Sequence, residues 1–352
     1  MNIKEFKAEF QGYLTRAVQE KLSTYSEYTS DPTILGMIQY AENVIGGGKC
    51  VRPYMAYLMY TGLGGTDTDR VMDLLVSVEV FHSFALIHDD VIDKGTTRHE
   101  HQTIHTHITE ELEHDDRWSK DFVHDGNSQA ILIGDILFSW ALERFQDFYD
   151  LPNHREAWKV FTKMIDEVAV GQMIDVDIMT RHSVDTQLIE TKMRLKTAGY
   201  TFVRPMQIGA ALAGRGADMA EFCENFGIAL GLAFQTQDDV LDLLSDPEII
   251  KKTVLSDIRD HQHTFLTQYV FENGSPEDIQ ELQSIWGTEV LDTDQDRIID
   301  IFVRTGALDY TQEMIQTYLA RARQLCLSDT ELSEDGRQDL ENLITYIENR
   351  SH

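Results

Sequence analysis

The chain has 352 residues, 42% hydrophobic and 26% charged, the balance of a globular protein rather than a disordered or fibrous one. Sixty Asp and Glu against 30 Lys and Arg leave a formal charge of −30, which excludes nucleic-acid recognition through a broad basic face. Three scattered cysteines, Cys50, Cys223 and Cys326, build neither a disulfide framework nor a four-thiolate zinc site.

The opening run MNIKEFKAEF has no basic stretch followed by an apolar core, and no run approaches the ~18 uninterrupted apolar residues of a spanning helix. A soluble, cytoplasmic protein without a transmembrane segment is expected. Proline is scarce, 6 of 352 residues against an average near 5%, so long tracts are free to be helical.

In chain order, Gly46, Gly47 and Gly48 form a turn that leads through Lys49, Cys50 and Arg52 to Pro53, placed at the first position of a helix. Over 69–88, apolar residues recur at Val71, Leu74, Leu75, Val78, Phe81, Ala85 and Leu86, a helical spacing. The same rhythm predicts helices over 130–148, 158–178, 188–212, 219–244 and 297–327. Loops are expected over 45–53, 61–67, 107–127, 150–154 and 245–262. No alternating β-branched run competes and no repeat appears, so one large all-α domain over residues 1–352 is expected.

One pattern recurs: Asp89-Asp90-Val91-Ile92-Asp93 and Asp238-Asp239-Val240-Leu241-Asp242, each ending an apolar helix. Positions i and i+4 share a helix face, so Asp89 lies beside Asp93 and Asp238 beside Asp242. A solvated like-charge pair costs only about 0.2–0.5 kcal/mol, so either run alone could be an ordinary exposed helix end. Two copies behind nearly uncharged apolar runs point further, to convergence on a diphosphate through several Mg²⁺ ions. Mg²⁺ is usually held by one or two carboxylates together with phosphate oxygens and water. Cations stand near these runs in a chain otherwise short of them. Lys49 and Arg52 flank the glycine turn, where a helix N-terminus favours an anion. Arg98 follows the first aspartate run, Lys196-Thr197 lies on a middle helix, and Lys251-Lys252 follows the second run.

The runs GGGKCVRP (46–53), EVFHSFALIHDDVID (79–93), GNSQAILIGDILF (126–138), GQMIDVD (171–177), KTAGYTFVRPMQIGAALAG (196–214) and FGIALGLAFQTQDDVLDL (226–243) cover most of residues 40–265. In that combination and order the chain resembles the trans-polyprenyl diphosphate synthases, which elongate isoprenoid chains head to tail. The resemblance implies a helix bundle around a central cavity and a prenyltransferase joining isopentenyl diphosphate to an allylic diphosphate. It further implies Mg²⁺ as cofactor, a homodimer, and a short all-trans product, geranylgeranyl diphosphate being the expected one. Carried over residue by residue, it implies that Asp89, Asp90, Asp93, Asp238, Asp239 and Asp242 hold Mg²⁺. Arg98, Lys196, Thr197, Gln235 and Lys252 would contact the allylic diphosphate or its metals, while Lys49, Arg52 and His82 would bind the diphosphate of isopentenyl diphosphate. Asp89, Asp90, Asp93, Arg98, Lys196, Asp238 and Lys252 form the implied catalytic set. The allylic C–O bond ionises, the double bond of isopentenyl diphosphate attacks, and a proton is lost to the released diphosphate.

The chain departs from that pattern at Cys50 and His99, where the resemblance has arginines, and at Gln262, where it has a lysine. The expected consequence is weaker anion binding. Phe84 stands five residues before Asp89, about 7.5 Å at 1.5 Å per residue, with Ala85 beside it and Phe81 a turn lower; together they match the floor that limits product length. Two readings with the same fold stay open, a terpene cyclase and a non-catalytic partner subunit. The histidine-rich run 98–114 reads as a solvated polar loop rather than a zinc site, since Gln102 stands where a zincin needs glutamate. Cys50 reads as an incidental thiol.

Overall fold

A computed structural model of the chain describes residues 1–98, 101–114, 119–245, 255–288 and 294–350. It divides into two compact units, one of Met1–Tyr57 with Gly65–Arg155 and one of Leu58–Gly64 with Glu156–His352. The all-α expectation holds: among the described residues the only strands are β1 (Thr97–Arg98) and β2 (His101–Gln102), an antiparallel pair.

In the first unit run α1 (Ile3–Thr24), α2 (Pro32–Tyr40), the start of α3 (Val51–Gly62), α4 (Thr68–Ile92), α5 (Ile104–His114) and α6 (Phe122–Gln146). Asn2 starts α1 by accepting from the Lys4 and Glu5 amides while Glu5 returns a bond to Asn2, a capping box. Helix α4 is the core element. Leu74, Leu75, Val76, Val78, Val80 and Phe81 are fully buried, each such side chain contributing about 1.5–3 kcal/mol of burial. The same helix is long and apolar enough to cross a membrane, but 67% of its most apolar window is buried inside the protein, as in the core helix of a globular unit.

The second unit contains α7 (His154–Ile178) apart from its first two residues, α8 (Thr186–Met193), a π-helical segment (Arg194–Val203), α9 (Arg204–Leu212) and α10 (Gly216–Leu244). It continues with α11 (Ser256–Arg259), α12 (Phe265–Asn273), α13 (Pro276–Ile285), α14 (Gln295–Arg304), α15 (Ala307–Ser328) and α16 (Glu334–Glu348). Two glycines let backbones meet around the π segment. A Cβ on Gly171 of α7 would stand 2.6 Å from the Lys196 amide nitrogen, and one on Gly231 of α10 would stand 2.4 Å from Ala198 Cα.

Several boundaries differ from the sequence expectation. Helix α3 starts at Val51, so Pro53 is its third residue rather than its first, and Cys50 before it adopts a left-handed φ of 52°. The loop expected over 107–127 is largely helix. Ile104, Ile108 and Leu112 bury one stripe of α5, and Gly126 fits where a Cβ would meet the His105 carbonyl at 2.8 Å. The described part of the histidine run is therefore a paired strand and a packed helix, with Thr103 and His105 buried. The tract 297–327 breaks at Gly306, with φ of 80°, into α14 and α15.

Candidate active site

In the first unit the end of α4 carries the first aspartate run. Asp90 is buried, accepts from Nε of Arg98 of β1 at 2.7 Å and lies 2.6 Å from its Nη2 in an ion pair, while Asp89 lies 3.6 Å from the same guanidinium. Burial pushes the Asp90 carboxyl upward and Arg98 only partly opposes it. Asp93 caps α4 and is exposed. Thr103 donates to the Gly95 carbonyl at 2.8 Å and, through its amide, bonds Thr96 at 3.1 Å; these bonds and the strand pair hold Arg98 against the run.

The glycine turn leads into α3, where Arg52 acts on Glu79 of α4. Glu79 is fully buried; burial raises its carboxyl, and the Arg52 guanidinium and Cys50 thiol oppose the rise. His82 follows Glu79 by one helical turn and is half-buried. Burial also pushes the Cys50 thiol upward, so this cysteine is no thiolate nucleophile, in line with an incidental thiol. Phe84 packs on Phe138 of α6 at 5.0 Å between ring centres and on Phe81 at 5.4 Å; Ala85 is half-buried.

In the second unit the π segment and α10 bring four expected residues together. Thr197 Oγ1 donates to Gln235 Oε1 at 2.8 Å, and Gln235 Nε2 donates to Asp239 Oδ1 at 2.9 Å. Lys196 donates to Asp175 Oδ2 at 2.5 Å. Burial works against an ionised Asp175, yet Lys192 and Lys196 outweigh it and hold the carboxyl below the usual range. These side chains line a cavity of about 180 Å³ together with Asp257 and Gln262.

The second aspartate run is split among partners. Asp238 pairs with Arg350 at 2.6 Å, and that guanidinium lies 4.3 Å over the Phe234 ring. Asp242 accepts from the Ser256 hydroxyl at 2.6 Å and the Asp257 amide at 2.9 Å, which caps α11. Lys252 and His99 lie outside the described residues.

These donors fit a divalent cation. Burial pushes Asp239, Asp242 and Asp257 upward, Asp239 to about 7, and neighbouring carboxylates add to the rise at Asp239 and Asp257, so the cluster is short of positive charge. Among the described residues no three Asp, Glu, His or Cys side chains are placed to hold a metal ion by themselves; Mg²⁺ usually draws further ligands from phosphate oxygens and water.

A family model for polyprenyl synthetase matches residues 33–302. The chain belongs to the polyprenyl synthetase family. It is 30% identical to the geranylfarnesyl diphosphate synthase of Aeropyrum pernix, over 86% of this chain and 91% of that one. With the geranylgeranyl diphosphate synthase of Methanosarcina mazei it shares 28% identity over 80% of each chain. The geranylgeranyl pyrophosphate synthase of Corynebacterium glutamicum, solved with isoprenyl diphosphate and magnesium, matches with a TM-score of 0.91 at 26% identity, covering 99% of this chain and 100% of that one. This synthase is an enzyme of the short-chain trans-prenyltransferase class.

Sequence reasoning missed Asp175, Lys192, Glu79 and Arg350. Asp175 and Glu79 lie inside runs that carry the resemblance. Lys192 and Arg350 lie outside them; the four-residue spacing from Lys192 to Lys196 was the one available signal for the first, and no spacing points to the second.

Proposed function

We propose that the enzyme adds isopentenyl diphosphate to an allylic diphosphate and ends at geranylgeranyl diphosphate. The observation that carries this reading is that both aspartate runs are complete and each adjoins anion-binding donors, Arg98 on the first and the Lys196–Thr197–Gln235 set beside the second.

In this reading Asp89, Asp90, Asp93, Asp238, Asp239 and Asp242 hold Mg²⁺, which when bound neutralises charge on the departing diphosphate. Arg98, Lys196 and Thr197 donate to the allylic diphosphate, so charge that develops as its C–O bond breaks meets donors already in place. Gln235 orients Thr197 and Asp239. Lys252 joins this set on the resemblance alone, while His99 stands where the resemblance has an arginine and offers isopentenyl diphosphate a weaker contact. Lys49, Arg52 and His82 bind the diphosphate of isopentenyl diphosphate, with Glu79 orienting Arg52. The double bond of that substrate attacks C1 of the allylic chain, and the proton leaves C2 for the released diphosphate. Phe84, with Phe81 and Ala85, limits the chain.

One catalytic domain over residues 1–352, working as a cytoplasmic homodimer, completes the proposal. The family match runs across both units, and exposed Leu132 of α6 and Met173 of α7 are apolar surface that a second copy would cover. The test is incubation with Mg²⁺, isopentenyl diphosphate and dimethylallyl, geranyl or farnesyl diphosphate in turn, followed by separation of dephosphorylated products. Elongation to twenty carbons supports the proposal. Diphosphate or a cyclised hydrocarbon released from the allylic substrate alone overturns it.

A further inference from the structure

Lys192 stands four residues before Lys196, one helical turn along the same face. Its ammonium lies 3.2 Å from Asp175 Oδ1 while Lys196 lies 2.5 Å from Oδ2. One buried carboxylate therefore spans two ammonium groups, both of which line the 180 Å³ cavity with it. Lys192 also donates to Gln262 Oε1 at 3.3 Å and to the His263 carbonyl at 3.2 Å. Its side chain is only 12% exposed, so its charge is weakly screened. Gln262 brings a neutral amide to this place and His263 a neutral carbonyl.

We propose that Lys192 binds the allylic diphosphate beside Lys196 and supplies from α8 the positive charge that position 262, a glutamine, does not. The inference rests on the prenyltransferase reading above. Its long bonds to two neutral oxygens are the ones an anion displaces, because bonds between an ammonium and a charged oxygen are about twice as strong as those to a neutral one. Asp239 and Asp257 line the same cavity, so an anion entering there needs both ammonium groups as well as any metal. Lys192 is thus a binding residue in its own right rather than a support for Lys196.

The test titrates inorganic diphosphate into the full-length protein by calorimetry, with Mg²⁺ and with chelator, and records melting temperatures in parallel. Lys192→Gln is expected to weaken diphosphate binding about tenfold, the scale of a lost hydrogen bond to a charged group. Adding Gln262→Lys to that variant returns the cation from the loop and is expected to recover most of the affinity. If Lys192→Gln does not fold, Lys192→Met carries the same comparison. Wild-type affinity in the variant overturns the inference and leaves the prenyltransferase reading standing. A lower melting temperature with weakened binding that Gln262→Lys does not repair also overturns it, since a strut between α8 and the loop would behave so. No diphosphate binding by the wild-type protein overturns both.

Discussion

Arg98 donates from Nε to Oδ1 of Asp90 at 2.7 Å and holds Nη2 2.6 Å from the same oxygen in an ion pair. That carboxylate belongs to a residue only 4% exposed, so the guanidinium is what makes its ionised form tolerable at the end of α4. Arg98→Ala is expected to cost about 1–3 kcal/mol at pH 7, the penalty of leaving a buried charged group without its partner. The cost is smaller at pH 5, because burial already raises Asp90 and a proton then replaces the lost cation. Denaturant unfolding at both pH values checks this; equal losses would refute it.

The carboxylates of the second unit predict how stability changes with pH. Asp239 is raised by burial to about 7, above its unfolded value near 3.9, so between those values the folded protein holds more protons than the unfolded chain. Its contribution to stability is present below the unfolded value and is lost as pH rises through the folded one. In chelator, the melting temperature is expected to fall between pH 5 and 7.5 more steeply for the wild type than for Asp239→Asn. Mg²⁺ with diphosphate should flatten the wild-type curve. Parallel curves for the two proteins would count against the assignment.

Gly231→Ala tests the seat of the π segment. The added Cβ would stand 2.4 Å from both Cα and Cβ of Ala198, and overpacking of this kind costs about 1–3 kcal/mol. Because Lys196 and Thr197 lie on the displaced segment, diphosphate affinity should fall with stability. Calorimetry and melting of the one variant measure both.

Phe84→Ala is expected to lengthen the product. The ring packs on Phe138 and Phe81, and its removal opens space beneath the first aspartate run. Chromatography of dephosphorylated products reads the outcome, and an unchanged chain length would remove Phe84 from its proposed role.

Leu132→Glu is expected to shift the assembly toward monomer. Leu132 is 55% exposed on α6, and a charge there would have to be desolvated beneath a second copy. Light scattering after gel filtration measures the mass directly.

Much of this was legible before any coordinates. The apolar spacing over 69–88 marked α4 because one long, nearly uncharged stretch leaves no competing period. The α5 stripe of Ile104, Ile108 and Leu112 was equally regular, but histidines and glutamates fill the positions between, and composition there argued for a loop. Gly126 fell inside the expected loop, although its role is to let the α5 backbone approach. The π segment was not legible, since 188–212 shows one continuous helical rhythm and the change of hydrogen bonding leaves no mark in residue type. Lys192 escaped for another reason: its meaning depends on Gln262, seventy positions away in sequence, and no local spacing encodes that meeting.

Gly171 and Gly231 press main chain against main chain around Lys196 and Ala198. Side-chain contacts can drift, one substitution accommodated by a rotamer change next door, but a contact between backbones has no such slack. Saturation mutagenesis would therefore find these two glycines intolerant even of alanine, while Leu and Met positions around them exchange freely. The synthase would be pinned, at its anion site, by two residues that have no side chains at all.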